Sequence, residues 1–93
     1  MLMRLVERLK QYEQKIVYMN WGSSGEYGKI NYVGSDFVEF TVLDTEKLEF
    51  TDKIMINNQL ILSIVVVSTD LDRISMEYAN KLPSAEGKNP NLN

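Results

Sequence analysis

The run Leu60-Ile61-Leu62-Ser63-Ile64-Val65-Val66-Val67 leaves the chain fewer options than any other segment. It is apolar on both faces and rich in β-branched residues, the pattern of a strand covered on both sides. The rest of the chain supplies only two short helical stretches to cover it. Left on an open edge, such a strand is a template for pairing with another chain. Two arrangements satisfy it, separately or together: the sheet curls until the strand lies inside a barrel, or a second subunit pairs with it. Size points the same way. At 93 residues the chain is one domain near the lower end of what buries a self-sufficient core. It has no cysteine for a disulfide staple, and small chains without staples commonly gain stability by oligomerising.

Composition removes whole classes of chemistry. Without cysteine or histidine there are no thiolate nucleophiles, no zinc sites built on sulfur or imidazole, and no histidine acid–base pair. The carboxylates do not group for hydrolysis or metal binding: Asp70 and Asp72 read as helix-capping residues, Asp44, Glu46 and Glu49 as a loop and the wet face of a strand. The expectation is a protein that is not an enzyme and needs no cofactor or metal. A net charge of −3 argues against coating duplex DNA, where affinity comes from neutralising many phosphates. Charges interrupt the apolar N-terminus, so it does not read as a signal peptide, and no apolar run approaches the ~18 residues that cross a membrane. The absence of cysteine fits a cytoplasmic location.

Residues 2–14 read as an amphipathic helix: Leu2, Leu5, Val6, Leu9 and Tyr12 fall at helical spacing, with Arg4, Glu7, Arg8, Gln11 and Gln14 on the other face. The helix lids the domain or presents itself to a protein partner. From Lys15 the period becomes two. Ile16, Tyr18 and Asn20 alternate with Val17, Met19 and Trp21, and Gly22-Ser23-Ser24-Gly25 turns the chain. Tyr27 to Val33 forms a second strand, Gly34-Ser35 a tight turn with positive φ expected at its first position, and Phe37 to Leu43 a third strand. Leu48 to Ile56 makes a fourth strand, ending at the turn signal Asn57-Asn58. Thr69-Asp70-Leu71-Asp72 has the form of a capping box opening a short second helix, which Pro83 ends. Residues 1–82 are therefore one domain, and 83–93, rich in Pro, Gly and Asn, a flexible tail.

A helix followed by five short strands with tight turns is the order of an Sm fold. Two segments carry the resemblance further. Gly28-Lys29-Ile30-Asn31-Tyr32-Val33-Gly34-Ser35-Asp36-Phe37-Val38 resembles the first Sm motif, in which a glycine in the second strand permits a sharp bend and a turn delivers the chain to an apolar third strand. Ile54-Met55-Ile56-Asn57-Asn58-Gln59-Leu60-Ile61 is similar to the second, an apolar strand, a polar turn and a β-branched fifth strand. Gly34 and Val38 stand where the first motif carries Asp and Asn, and Met55 and Ile56 where the second carries Arg and Gly. The resemblance, which is to the Sm, LSm and Hfq group and includes Sm-like proteins of marine phage type, covers most of residues 2–68. It implies a mainly β protein: a strongly bent five-stranded antiparallel SH3-like barrel with an N-terminal α-helix and a short C-terminal helix. It also implies a homomeric ring of about five to seven subunits, closed by pairing the fifth strand with a neighbour's fourth.

In that family the turns after the second and fourth strands line the pore of the ring and bind single-stranded nucleic acid, RNA first and DNA second. Carried over, the resemblance gathers Ser35, Asp36 and Phe37 with Asn57, Asn58 and Gln59. The residue types suit the task, since unpaired bases stack on aromatic rings and hydrogen-bond to amides. A plainer reading takes Asn57-Asn58 as a two-residue type I′ hairpin turn and Phe37 as core; Phe37 and Val38 point to opposite faces, so only one lies inside. A second candidate surface sets Tyr18, Trp21, Tyr27 and Tyr32 among Lys15, Lys29 and Asn31, with barrel core or subunit contact as its competitor. The rival for the whole chain is an oligomeric scaffold that engages protein partners through its N-terminal helix without nucleic acid.

Overall fold

The computed structural model describes residues 5–81. In chain order they form α1 (Leu5–Lys10), β1 (Ile16–Trp21), β2 (Ser24–Val33), β3 (Phe37–Asp44), β4 (Glu49–Asn57), a 3-10 turn (Asn58–Leu60), β5 (Ile61–Val65) and α2 (Thr69–Lys81). The protein is mainly β, a single five-stranded antiparallel sheet preceded by one helix and followed by another. Residues 2–4 of the expected first helix, Leu82, and the expected tail 83–93 lie outside the described residues.

α1 stops at Lys10 instead of running to Gln14. The N–H groups of Gln11, Tyr12 and Glu13 donate to carbonyls only three residues back, which tightens the helix into turns. Gln14 is left-handed, with φ 69°, and its N–H donates to the Ile30 carbonyl at 2.6 Å. The Glu13 carboxylate accepts from the Val33 N–H at 2.8 Å. Both bonds pull the chain onto β2, and the helical register is given up to make them.

The sheet order is β4-β3-β2-β1-β5. β1 and β2 are a hairpin in which Trp21 faces Ser24, leaving Gly22-Ser23 as the two-residue turn. Gly22 has φ 55°, the left-handed first position that such turns require. The β3–β4 turn is held by Asp44, whose Oδ1 accepts from the N–H groups of Lys47 and Glu46; these two bonds hold its carboxyl below the usual carboxylate range. Leu48 closes that turn at φ 57°.

Alternation along the strands builds the core. Val17 and Met19 of β1, Ile30 and Val33 of β2, Val38 and Phe40 of β3, and Ile56 of β4 are buried together with Leu9 of α1. Trp21 meets Phe40 edge-on at 5.9 Å between ring centroids. α1 therefore covers one face of the sheet. α2 covers part of the other: Lys29 faces away from Val17's side, its ammonium lies over the Phe50 ring at 5.3 Å, and Phe50 meets Tyr78 of α2 edge-on at 5.2 Å. Lys81 fastens the helix end by donating to the Lys47 and Leu48 carbonyls at 2.7 and 3.2 Å. The helix begins at Thr69, the residue expected to cap it. Ser68, not Thr69, is the cap, its hydroxyl oxygen accepting from the Leu71 N–H at 3.0 Å, so no capping box forms.

The sheet is open, and the expectation of a closed barrel is corrected accordingly. β4 and β5 are its two edges and do not pair with each other. The link between them explains why. Asn57 has φ −61° and ψ 130°, an extended residue whose side-chain oxygen accepts from the Gln59 N–H and starts a 3-10 turn. No left-handed pair is present at Asn57-Asn58 for a type I′ hairpin, so the chain leaves β4 and crosses to the free side of β1. The apolar run is consequently an edge strand. Ile64 and Ile61 point toward the core face, while Leu62 and Val67 are 69% and 79% exposed.

Gly28 shows why a glycine is needed inside β2. Its φ is ordinary, but a Cβ there would collide with the Thr41 carbonyl and sit 2.5 Å from Phe40 Cζ, a ring that is fully buried and cannot retreat. Gly28→Val is expected to lower stability by about 1–3 kcal/mol, the usual cost of overpacking, measurable by thermal or urea unfolding. Melting behaviour like that of the parent chain would contradict the packing described.

Candidate functional site

The two turns named from the sequence do come together. Phe37 pairs with Asn57 at the end of the β3–β4 ladder, and the Asn58 N–H donates to the Asp36 carbonyl at 2.9 Å. The side-chain amide of Asn58 reaches back to the carbonyls of Gly34 and Ser35 at 3.4 and 3.3 Å. Asn58 is buried, 9% exposed, and its Oδ1 is enclosed without a hydrogen-bond partner among the described residues. Its amide joins one turn to the other and is not offered to solvent. Ser35, Asp36, Asn57 and Gln59 are exposed and form the accessible rim.

Phe37 and Val38 divide as alternation requires. Val38 is fully buried, and Phe37 turns outward, half-buried, with its ring over Gly34. Gly34 is not left-handed, contrary to expectation; a Cβ would lie 2.9 Å from Phe37 Cε1, so the ring above it seats closely only on glycine. The Gly34 N–H donates to the Phe37 carbonyl at 2.8 Å, closing the turn. Tyr32, half exposed, stands beside Phe37 with ring centroids 5.9 Å apart. The rim thus combines two aromatic faces, two exposed amides, a hydroxyl and one carboxylate.

The second surface expected from the sequence does not exist as one surface. Tyr18 and Tyr27 pair directly at 4.7 Å, Trp21 belongs to the core side, and Tyr32 joins the turn site. A bulge explains the last: the β2–β3 register shifts between Ile30 and Tyr32. What replaces that surface is a polar dish of about 390 Å3 on the sheet face opposite α1, lined by Gln14, Lys29, Asn31, Glu39, Thr41, Phe50 and Lys53. Asn31 donates to Thr41 Oγ1, Gln14 Nε2 donates to the Asn31 carbonyl at 2.9 Å, and Glu39 pairs with Lys53 at 3.5 Å. Lys29 and Asn31 were visible in sequence as polar positions of a strand. Their neighbours Thr41 and Lys53 were not, because cross-strand register has no local signal.

Among the described residues, no group of three or more Asp or Glu side chains is placed to hold a metal ion, and no helix is long and apolar enough to cross a membrane. No protein-family model, no curated protein and no solved structure matches the chain.

Asn58 gives a pH test of the turn contact. In Asn58→Asp a buried carboxylate would face two carbonyl oxygens, so the folded-state pKa rises above the ordinary ~3.9. A protonated side chain still donates to Gly34 or Ser35, and stability is then lost as pH rises from about 4 through the raised value. Urea midpoints measured across this range should converge with the parent chain at acid pH and fall behind it toward neutrality. A pH-independent difference would show that the amide does not sit between those carbonyls.

Proposed function

We propose that the chain is a ring-forming, Sm-like protein that binds single-stranded nucleic acid, RNA in preference to DNA, in a processing or chaperoning role. The observation that carries the reading is the junction of the β2–β3 and β4–β5 turns. Exposed Asn57, Gln59 and Ser35 lie beside the Tyr32–Phe37 ring pair at one end of the sheet. Bases stack on such rings and hydrogen-bond to such amides, while Asp36 disfavours phosphate at the same spot, so recognition here is of bases. Duplexes hide those bases. The open sheet supplies the assembly: one protomer's β5, apolar and unpaired on its outer side, adds to the β4 edge of the next, and repetition of that head-to-tail contact closes a ring.

A second reading is favoured by one feature. Leu5, Leu9 and Tyr12 of the N-terminal segment and Ile61, Ile64 and Val66 line an apolar groove of about 270 Å3, with Arg8 at its rim. This suits a protein-interaction module working through α1. The experiment separates the two. Light scattering should show an assembly of about five to seven subunits that Leu62→Lys dissociates, and anisotropy should show a short labelled oligouridylate binding better than duplex DNA of the same length. Gln59→Ala and Phe37→Ala are expected to weaken binding with the assembly intact, each small loss being multiplied around the ring. An intact assembly that ignores the oligonucleotide at low salt leaves the interaction module.

A further inference from the structure

Alternation continues the turn site across the sheet. Phe37, Glu39 and Thr41 point to one face of β3, because Val38 and Phe40 between them are buried. Their partners on β4 are Asn57, Met55 and Lys53, and Thr41 is flanked on its other side by Lys29 of β2. Lys29, Thr41 and Lys53 therefore stand in a row over three neighbouring strands, the two ammonium groups on either side of a hydroxyl. Strands lie about 4.8 Å apart, so the lysine stems start roughly 10 Å from each other. Thr41 lies four residue steps along β3 from Phe37, about 14 Å at strand rise. A base-binding rim and a cationic row thus share one face, a few nucleotides apart.

We infer that this row is the phosphate track of the single strand whose bases enter the turn site. The inference rests on the proposed function and names what holds the backbone there. Charge decides between this face and the rim: two ammonium groups stand against one carboxylate, Glu39, in a chain whose net charge is −3. Glu39 is engaged from two sides, by Lys53 at 3.5 Å and by the Asn31 amide at 3.5 Å. The row is presented and not loose. Lys29 rests on the Phe50 ring, and Phe50 is braced in turn by Tyr78 of α2. The Asn31 amide is spent on Thr41 and Glu39, and Gln14, which gives one N–H to the Asn31 carbonyl, keeps the other at the dish. A phosphodiester chain is the occupant that fits two separated cations set across the strands about 14 Å from a stacking site; each ammonium neutralises one phosphate and releases its counterion.

The test is the salt dependence of oligouridylate binding by the full chain, read by anisotropy for the parent, Lys29→Gln/Lys53→Gln, and Phe37→Ala. Single strands lose about 0.7 in the slope of log affinity against log salt for each phosphate released. The double lysine variant should therefore lose about 1.4 in slope per engaged subunit, and Lys29→Arg/Lys53→Arg should restore it. Phe37→Ala should lower affinity with the slope unchanged. A parental slope in the double glutamine variant overturns the track and leaves the turn site standing. Uridine monophosphate binding with the same lysine dependence overturns it in favour of a nucleotide pocket. Absence of oligonucleotide binding by the parent at low salt overturns the track together with the function on which it rests.

Discussion

The course of the chain after Asn57 decides both the topology of the sheet and the chemistry of its turns. Had β4 and β5 formed a hairpin, the apolar run would have packed beside β4 and the other side of β1 would have been an edge. The extended Asn57 and the 3-10 turn after it carry the run across to β1 instead. The sheet then has unrelated strands at its two margins, β4 with Asp52 and Lys53 exposed, and β5 with Leu62 exposed. Two different free margins on one sheet permit a directional contact, β5 of one protomer on β4 of the next, and that is the pairing the proposed ring uses.

The same turn places chemistry as well as topology. Asn58 holds the carbonyls of Gly34 and Ser35 with its side chain and that of Asp36 with its backbone N–H, so the β2–β3 and β4–β5 turns become one surface. The bridge has a consequence for which amides are available. Asn58, the most enclosed of the three polar turn residues, is occupied by structure, and Asn57 spends its oxygen on capping. Gln59 and the amide nitrogen of Asn57 remain for a ligand. Recognition at such a site is a matter of a few donors and two rings, modest for one protomer.

How far the sequence could be read depended on whether the deciding contact was local. Strand positions, a turn beginning at Gly22, the opposite facing of Phe37 and Val38 though not which of them lies inside, and the meeting of Ser35–Phe37 with Asn57–Gln59 were legible from period-two alternation, turn chemistry and the family resemblance. Four features were not, and each depends on a partner distant in sequence or on a ring that alternation alone does not place. α1 ends early because Gln14 is claimed by Ile30; Gly34 is needed for the ring of Phe37 and not for its own φ; Tyr32 leaves its expected surface at a bulge against β3; and Lys53 reaches Glu39 through register alone. The closed barrel failed for a related reason. Two-faced apolarity in Leu60–Val67 says that the strand wants cover, but not whether the cover comes from its own chain or another.

A net acidic chain is an unusual candidate for nucleic-acid binding, and the arrangement of its charges makes the low total intelligible. Long-range attraction to any polyanion scales with the number of phosphates neutralised, and with few cations on this face a protomer has little of it. Duplexes, which offer phosphates but conceal base faces and Watson–Crick edges, would then gain almost nothing. On the proposed reading a single strand gains stacking on Tyr32 and Phe37, hydrogen bonds at the turn rim, and only two ammonium contacts at the adjacent row. Each contribution is small, and a protomer alone would discriminate poorly. Repetition changes that balance, because once one site is occupied the neighbouring sites meet the same strand at high effective concentration. In the proposed ring weak charge serves selectivity: affinity is reached only by a ligand long enough and unpaired enough to engage several protomers in turn, so edge pairing of β5 and the chemistry of the turns would act together.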